Sequence, residues 1–147
     1  MAETVDEALS LHVLVVDDEQ NIRKTLTYCL EKAGHTVRAV SNAADAVREV
    51  QRSACDLAFV DIRLHHENGL ELIPELLEYA PWMKIVVITA YASIETAVDA
   101  IKRGATDYLP KPFDLKEVLA QVAKALRQKA RKAPVADEGE PAREENL

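Results

Sequence analysis

Cysteine is scarce, with only Cys29 and Cys55 among 147 residues. Two thiols so far apart match no metal-ligand spacing and make no disulfide framework, which excludes a stapled secreted scaffold and points to buried thiols in a reducing cytoplasm. No apolar run approaches the ~18 residues of a membrane span. The opening MAETVDEALS is acidic where a secretion signal would be basic, so a cytoplasmic protein with no membrane partner is expected. Basic patches with interleaved aromatics are also missing, and no nucleic-acid contact by this domain itself is expected. A Gly-rich phosphate-cradling turn is absent as well, which argues against a nucleotide-binding protein of flavodoxin type.

The net charge of -7 is not spread along the chain. Residues 1–10 carry Glu3, Asp6 and Glu7, and residues 133–147 carry Asp137, Glu138, Glu140, Glu144 and Glu145 against Arg143. The ends therefore account for the whole excess, and residues 11–132 are neutral. A domain over 11–132 is expected between a disordered extension over 1–10 and a disordered tail or linker over 133–147.

With 48% apolar residues, the chain has the material for one substantial core. Leu11 to Val16 is an unbroken β-branched run, as for a strand covered on both faces. Ile22, Leu26, Cys29, Leu30 and Ala33 follow at helical spacing, closed by Gly34. His35 to Val40 alternates like an edge strand, and Ser41-Asn42 can cap a helix facing inward with Ala43, Ala46, Val47 and Val50. Leu57 to Val60 is the third strand. Asn68-Gly69 opens a helix with Ile73, Leu76 and Leu77 inward, in which Pro74 predicts a late start or a kink. Lys84 to Ile88 is a fourth strand. Ser93 caps a helix with Ile94, Ala97, Val98 and Ile101 on one face, and Thr106 to Leu109 is a fifth strand. A last helix from about Asp114 is expected to bury Leu115, Val118, Leu119, Val122 and Leu126. Such alternation with short connections predicts an α/β fold, a doubly wound five-stranded parallel sheet with helices on both faces.

The strands end in chemistry. Asp17-Asp18 follow the first, Asp61 the third, Thr89 the fourth and Lys111 the fifth, and open α/β sheets keep their sites at such carboxyl ends. Like charges ~4 Å apart repel by ~4 kcal/mol per pair at intermediate dielectric, so three converging carboxylates call for a cation or protons. Carboxylate oxygens are hard ligands, and Mg²⁺ suits an open site of this kind better than zinc. Asp61, single on a central strand, is the candidate nucleophile toward phosphorus. Lys111 and Thr89 are the candidate stabilisers of the phosphoryl oxygens, and Asp17 and Asp18 the candidate holders of metal and water.

LVVDDE, VDIRL, VITA and DYLPKPF, in that order across residues 11–132, resemble the receiver domain of bacterial two-component response regulators. The resemblance implies the CheY-like strand order 2-1-3-4-5 and phosphoryl transfer from a sensor histidine kinase to Asp61. Mg²⁺ would be held by Asp18, Asp61 and the backbone carbonyl of Arg63, with Asp17 acting through water. It further implies that Lys111 and Thr89 contact the phosphoryl group, that Tyr108 is the switch aromatic, and that Lys111-Pro112 is cis. A receiver is not an enzyme in the ordinary sense, although it catalyses its own phosphorylation and slow dephosphorylation. A possible homodimer is expected through the fourth helix, fifth strand and fifth helix.

The stretch TAYASIETAVDAIKRGATDYLPKPFDLKEV resembles receivers of the nitrogen-regulator (NtrC) class, and APWMK is similar to the alginate regulators (AlgB) within it. That class implies sigma-54-type transcription activation as output. Neither a Walker A motif nor a helix-turn-helix is present, which leaves a module of a longer regulator or a stand-alone receiver acting as phosphate carrier. One departure stands out: the family usually has proline four residues after the phosphorylated aspartate, and this chain has His65, then His66. Two adjacent histidines in a polar loop are read as solvated, with no histidine site expected. The rival from another class is a haloacid-dehalogenase-like phosphatase, but its D-x-D after the first strand is D-D-E here.

Overall fold

The computed structural model describes residues 10–132. The expected disorder of the two ends falls on residues 1–9 and 133–147, outside the described residues, apart from Ser10.

Elements alternate as the apolar pattern predicts: β1 (His12–Val16), α1 (Gln20–Lys32), β2 (Thr36–Val40), α2 (Ala43–Arg52) and β3 (Leu57–Asp61). A short pair, β4 (Arg63–Leu64) and β5 (Glu67–Asn68), precedes α3 (Gly69–Tyr79). The chain then forms β6 (Lys84–Thr89), α4 (Ile94–Lys102), β7 (Asp107–Pro110) and α5 (Leu115–Lys132). The main sheet is five-stranded and parallel, in the order β2-β1-β3-β6-β7. This is the predicted doubly wound arrangement, with β6 and β7 as its fourth and fifth strands.

All of β3 is buried, as a strand with neighbours on both sides and helices on both faces must be, whereas edge strand β2 is mostly exposed. One core lies between the sheet and α2, α3 and α4, built on Val16, Val60, Ile73, Leu76, Ile85 and Val87. The other joins Val15, Phe59, Ile88, Leu26, Leu30 and Val122 between the sheet and α1 and α5. Gly34 ends α1 with φ +100°, and the next N–H, from His35, donates to Leu30 O at 3.0 Å. That left-handed residue closes the helix where the sequence placed its stop.

Three expectations about helices fail: the late start of the helix that holds Pro74, and the inward faces of the last two helices. α3 starts at Gly69 despite Pro74, because Asn68 caps Leu70 N–H and Leu70, Leu72, Ile73 and Leu76 are all buried. Four buried side chains at ~1.5–3 kcal/mol each outweigh the ~3 kcal/mol cost of an interior proline. On α4 the apolar stripe faces out: Ile94 is 84% exposed and Ile101 49%, while Ala100 is the buried residue. On α5, Leu115 and Leu119 are exposed, and Gln121 and Ala125 are buried beside the expected Val118 and Val122. No described helix is long and apolar enough to cross a membrane.

His35 lies in the core beside β1, its Nδ1 accepting Leu11 N–H at 3.0 Å. Burial, helped by the Lys129 charge, holds its pKa below the ordinary histidine value. The unfolded chain therefore binds a proton before the folded one does. Stability is fully present above ~6.5 and is lost as pH falls from there toward the lower folded pKa. Urea unfolding at roughly pH 7.5 and pH 5.5 should show that loss, and His35→Asn, which can accept the same N–H without titrating, should shrink it. Equal pH dependence in the two proteins would remove His35 from the account.

Candidate functional site

The sheet register brings the predicted residues together. Val16 of β1 pairs with Val60 of β3, so Asp17 and Asp61 follow side by side. Asp61 pairs with Ile88 of β6, one residue before Thr89, and Thr89 pairs with Pro110 of β7, one residue before Lys111. Every one of these side chains stands at a carboxyl end of its strand.

Ligand oxygens of Asp17, Asp18 and Asp61 lie within 4.8 Å of one another. Asp17 is fully buried, and its Oδ1 accepts Glu19 N–H at 2.8 Å. Its Oδ2 has no aligned hydrogen bond, yet lies 2.9 Å from Lys111 Nζ. The Asp17–Lys111 contact is an ion pair and not an aligned hydrogen bond. Asp61, 4% exposed, uses Oδ1 to accept Arg63 N–H at 3.1 Å and Oδ2 to accept from Lys111 Nζ at 3.0 Å. Lys111 also reaches Glu19 Oε1 at 3.3 Å, so one ammonium answers three carboxylates.

The electrostatics follow from that arrangement. Burial pushes Asp17 up to about 6, against the Glu19 N–H and Lys111, which favour its charged form, while the Asp61 charge adds to the rise. Burial alone would lower Lys111, but the Asp17 and Asp61 carboxylates against its ammonium raise it well above its usual range. Three hard oxygen donors and a buried Asp17 oxygen without a hydrogen bond fit a divalent cation with oxygen preference.

Thr89 is fully buried, and its Oγ1 accepts Tyr91 N–H at 3.0 Å, which leaves the hydroxyl proton free to donate. Tyr108 is half-buried rather than turned to Thr89. Its hydroxyl lies 2.7 Å from Thr96 Oγ1 and accepts Ser93 N–H at 3.3 Å, on the capping box that starts α4. The Lys111-Pro112 bond is cis.

Three contacts at the site have no signal in the sequence. Gly69 packs its backbone on Asp61: an added Cβ would collide with the Asp61 carbonyl oxygen and stand 2.9 Å from Ile62 Cα. The Asn-Gly pair was legible only as a helix opening. Arg63 lays its guanidinium over the Tyr91 ring, 3.9 Å from the centroid, joining the loops after β3 and β6. His65, expected to be merely solvated, donates its N–H to Asp18 Oδ2 at 2.9 Å and brings its Nδ1 to 3.3 Å from the same oxygen. Nothing local in the sequence signals either contact. His65 takes up a left-handed backbone that histidine tolerates better than most side chains.

Residues 13–123 match the family model described as the response regulator receiver domain. The alginate biosynthesis transcriptional regulatory protein AlgB of Pseudomonas putida is 45% identical over 114 residues, covering 78% of this chain and 25% of that protein. The DNA-binding transcriptional regulator NtrC of Azospirillum brasilense is 43% identical over 129 residues, covering 87% of this chain and 27% of that protein. The chain thus spans about a quarter of the length of these relatives. A crystal structure of a response regulator from Burkholderia pseudomallei, with a phosphorylated aspartic acid, calcium ion and citrate, superposes with TM-score 0.74 at 35% identity, covering 86% of this chain and 75% of that one.

Proposed function

The chain belongs to the response regulator receiver domain family, and from that premise we propose that it accepts a phosphoryl group on Asp61 from a sensor histidine kinase, with Mg²⁺ at Asp17, Asp18 and Asp61. The observation that carries this reading is the convergence of Asp61, Thr89 and Lys111 at adjacent strand ends. Mg²⁺, when bound, supplies positive charge against the phosphoryl oxygens. It would be held by Asp18, Asp61 and the Arg63 carbonyl, with Asp17 acting through water.

The chain's own residues do the rest. An Asp61 carboxylate oxygen forms the bond to phosphorus while the phosphohistidine P–N bond breaks, its electron pair leaving with the imidazole. Lys111, already on Asp61 Oδ2, donates to a phosphoryl oxygen, and the Thr89 hydroxyl donates to another. The kinase can approach over the groove beside Lys111 lined by Ile22, Leu26, Pro112, Phe113 and Leu115. Incubation with Mg²⁺ and acetyl phosphate should add one phosphoryl group, and Asp61→Asn should abolish it. Equal labelling of that variant would overturn the assignment.

The output reading starts from Tyr108. Drawing the Thr89 hydroxyl toward a phosphoryl group vacates space beneath it, and Tyr108 can fill that space only by leaving Thr96 and Ser93. The face so altered carries the exposed Ile94, Val98 and Ile101 of α4 and Leu119 of α5. Self-association there, coupled to a sigma-54-type transcription module, accounts for an apolar stripe otherwise left in water. Beryllofluoride should shift sedimentation from monomer toward dimer, and Thr89→Ala should blunt the shift. An unchanged wild-type profile would favour the stand-alone phosphate carrier instead.

A further inference from the structure

Glu19 stands at the N-cap of α1, where a side chain ordinarily accepts from the first N–H groups of the helix, yet its carboxylate makes no such bond. It turns to the phosphoryl site instead. The Glu19 N–H donates to Asp17 Oδ1 at 2.8 Å, which fixes its backbone beside the cluster, and its Oε1 lies 3.3 Å from Lys111 Nζ. Of the three carboxylates on that ammonium, Asp17 and Asp61 are buried, whereas the Glu19 side chain is 60% exposed. A molecule arriving from solution meets Glu19 first.

Its place in the fold gives that charge a reach the sequence does not show. Glu19, Ala90 and Lys111 line the same groove, so an entering donor passes the carboxylate on its way to Asp61. Because Glu19 and Asp61 touch one Nζ, Glu19 Oε1 is within roughly 6 Å of Asp61 Oδ2. One unit charge at that distance, even in water-like surroundings, changes the attraction or repulsion of another by a factor of about three.

We propose that Glu19 is a specificity-determining residue for phosphoryl transfer to Asp61, one that sorts phosphodonors by charge and disfavours free acyl phosphates. The inference rests on Asp61 being the phosphoacceptor. Acetyl phosphate is a dianion near neutral pH, and as Asp61 bonds to phosphorus its P–O bond breaks with the electron pair leaving on acetate. Phosphoramidate carries the same phosphoryl group on a protonated nitrogen, and its P–N bond breaks with the pair leaving on ammonia. The transferred group is identical, but the second donor brings one negative charge fewer past Glu19. A carboxylate there tilts the site toward P–N donors, the class to which a phosphohistidine belongs, and away from small acyl phosphates in solution.

Labelling of the full 147-residue chain by each donor, at saturating Mg²⁺ and low ionic strength and followed by intact-protein mass, tests this. The readout is the ratio of the two second-order rate constants, acetyl phosphate over phosphoramidate, which a general loss of folding or of metal does not alter. Glu19→Gln should raise that ratio roughly threefold and Glu19→Lys about tenfold, and ~1 M KCl should return both toward the wild-type value. Urea midpoints of both variants should match wild type, as expected for an exposed side chain. A ratio unchanged in Glu19→Lys, or both donors sped equally, would overturn discrimination by charge while leaving Asp61 as the acceptor. Wild type labelled by neither donor would instead remove the phosphoacceptor reading, and this inference with it.

Discussion

Gly69→Ala is expected to destabilise the protein by ~3 kcal/mol or more, at the upper end of overpacking substitutions. The reason is what the new methyl would meet. Its neighbours are the Asp61 carbonyl oxygen, well inside contact distance, and the Asp61 carbonyl carbon and Ile62 Cα, both at 2.9 Å. All three are backbone atoms, so no rotamer change relieves the overlap. Either α3 moves off the sheet, losing contacts of Leu70, Leu72 and Ile73, or β3 moves and takes Asp61 out of line with Lys111. Gly34→Ala is the control, since a Cβ there meets no atom within 4 Å and suffers only its φ of +100°. It should cost ~1 kcal/mol. Urea unfolding that shows Gly69→Ala no worse than Gly34→Ala would contradict the close approach.

Lys111→Ala should cost a comparable amount through charge instead of shape. The ammonium lies 2.9 Å from Asp17 Oδ2 and 3.0 Å from Asp61 Oδ2, and both carboxylates are buried. Removing one partner of a buried ion pair costs ~3–5 kcal/mol, because the remaining charge can neither leave nor find water. Here two carboxylates are left behind. Protonation of one of them caps the penalty, so ~3 kcal/mol is expected near neutral pH without metal. A divalent ion supplies the missing charge, and ~2.7 kcal/mol of any loss should be recoverable at a hundred times the dissociation constant. Chemical unfolding with and without Mg²⁺ measures both numbers. A loss below ~1 kcal/mol, unaffected by Mg²⁺, would mean that the carboxylates do not depend on Lys111.

The site was legible because its residues stand at boundaries that hydrophobic patterning marks well. An apolar run that stops at Asp61, and others that stop at Asp17 and Thr89, can be placed on one sheet edge once the strands are parallel. The failures are of a different kind. Periodicity on α4 marks Ile94, Val98 and Ile101 as one stripe, but does not say whether a sheet or solvent lies opposite; only β7 at the edge decides that. The β4–β5 pair is two residues a side, too short to carry a strand pattern. The signal of Pro74 is local, while the burial that overrides it is tertiary. Arg63 on Tyr91 and His65 on Asp18 join residues far apart in sequence, and neither contact has a motif. Gly69 is a special case, since its value lies in the absence of an atom.

Asp61, and no other group, is expected to take the phosphoryl. Borohydride reduction after treatment with acetyl phosphate and Mg²⁺ tests it directly, because an acyl phosphate is reduced to a homoserine whereas a phosphohistidine is not. Peptide mass spectrometry should then find homoserine at position 61 and at no other aspartate, and Asp61→Asn should give none. Homoserine at position 17 or 18, or a phosphoryl group retained on His65 or His66 after reduction, would contradict the account.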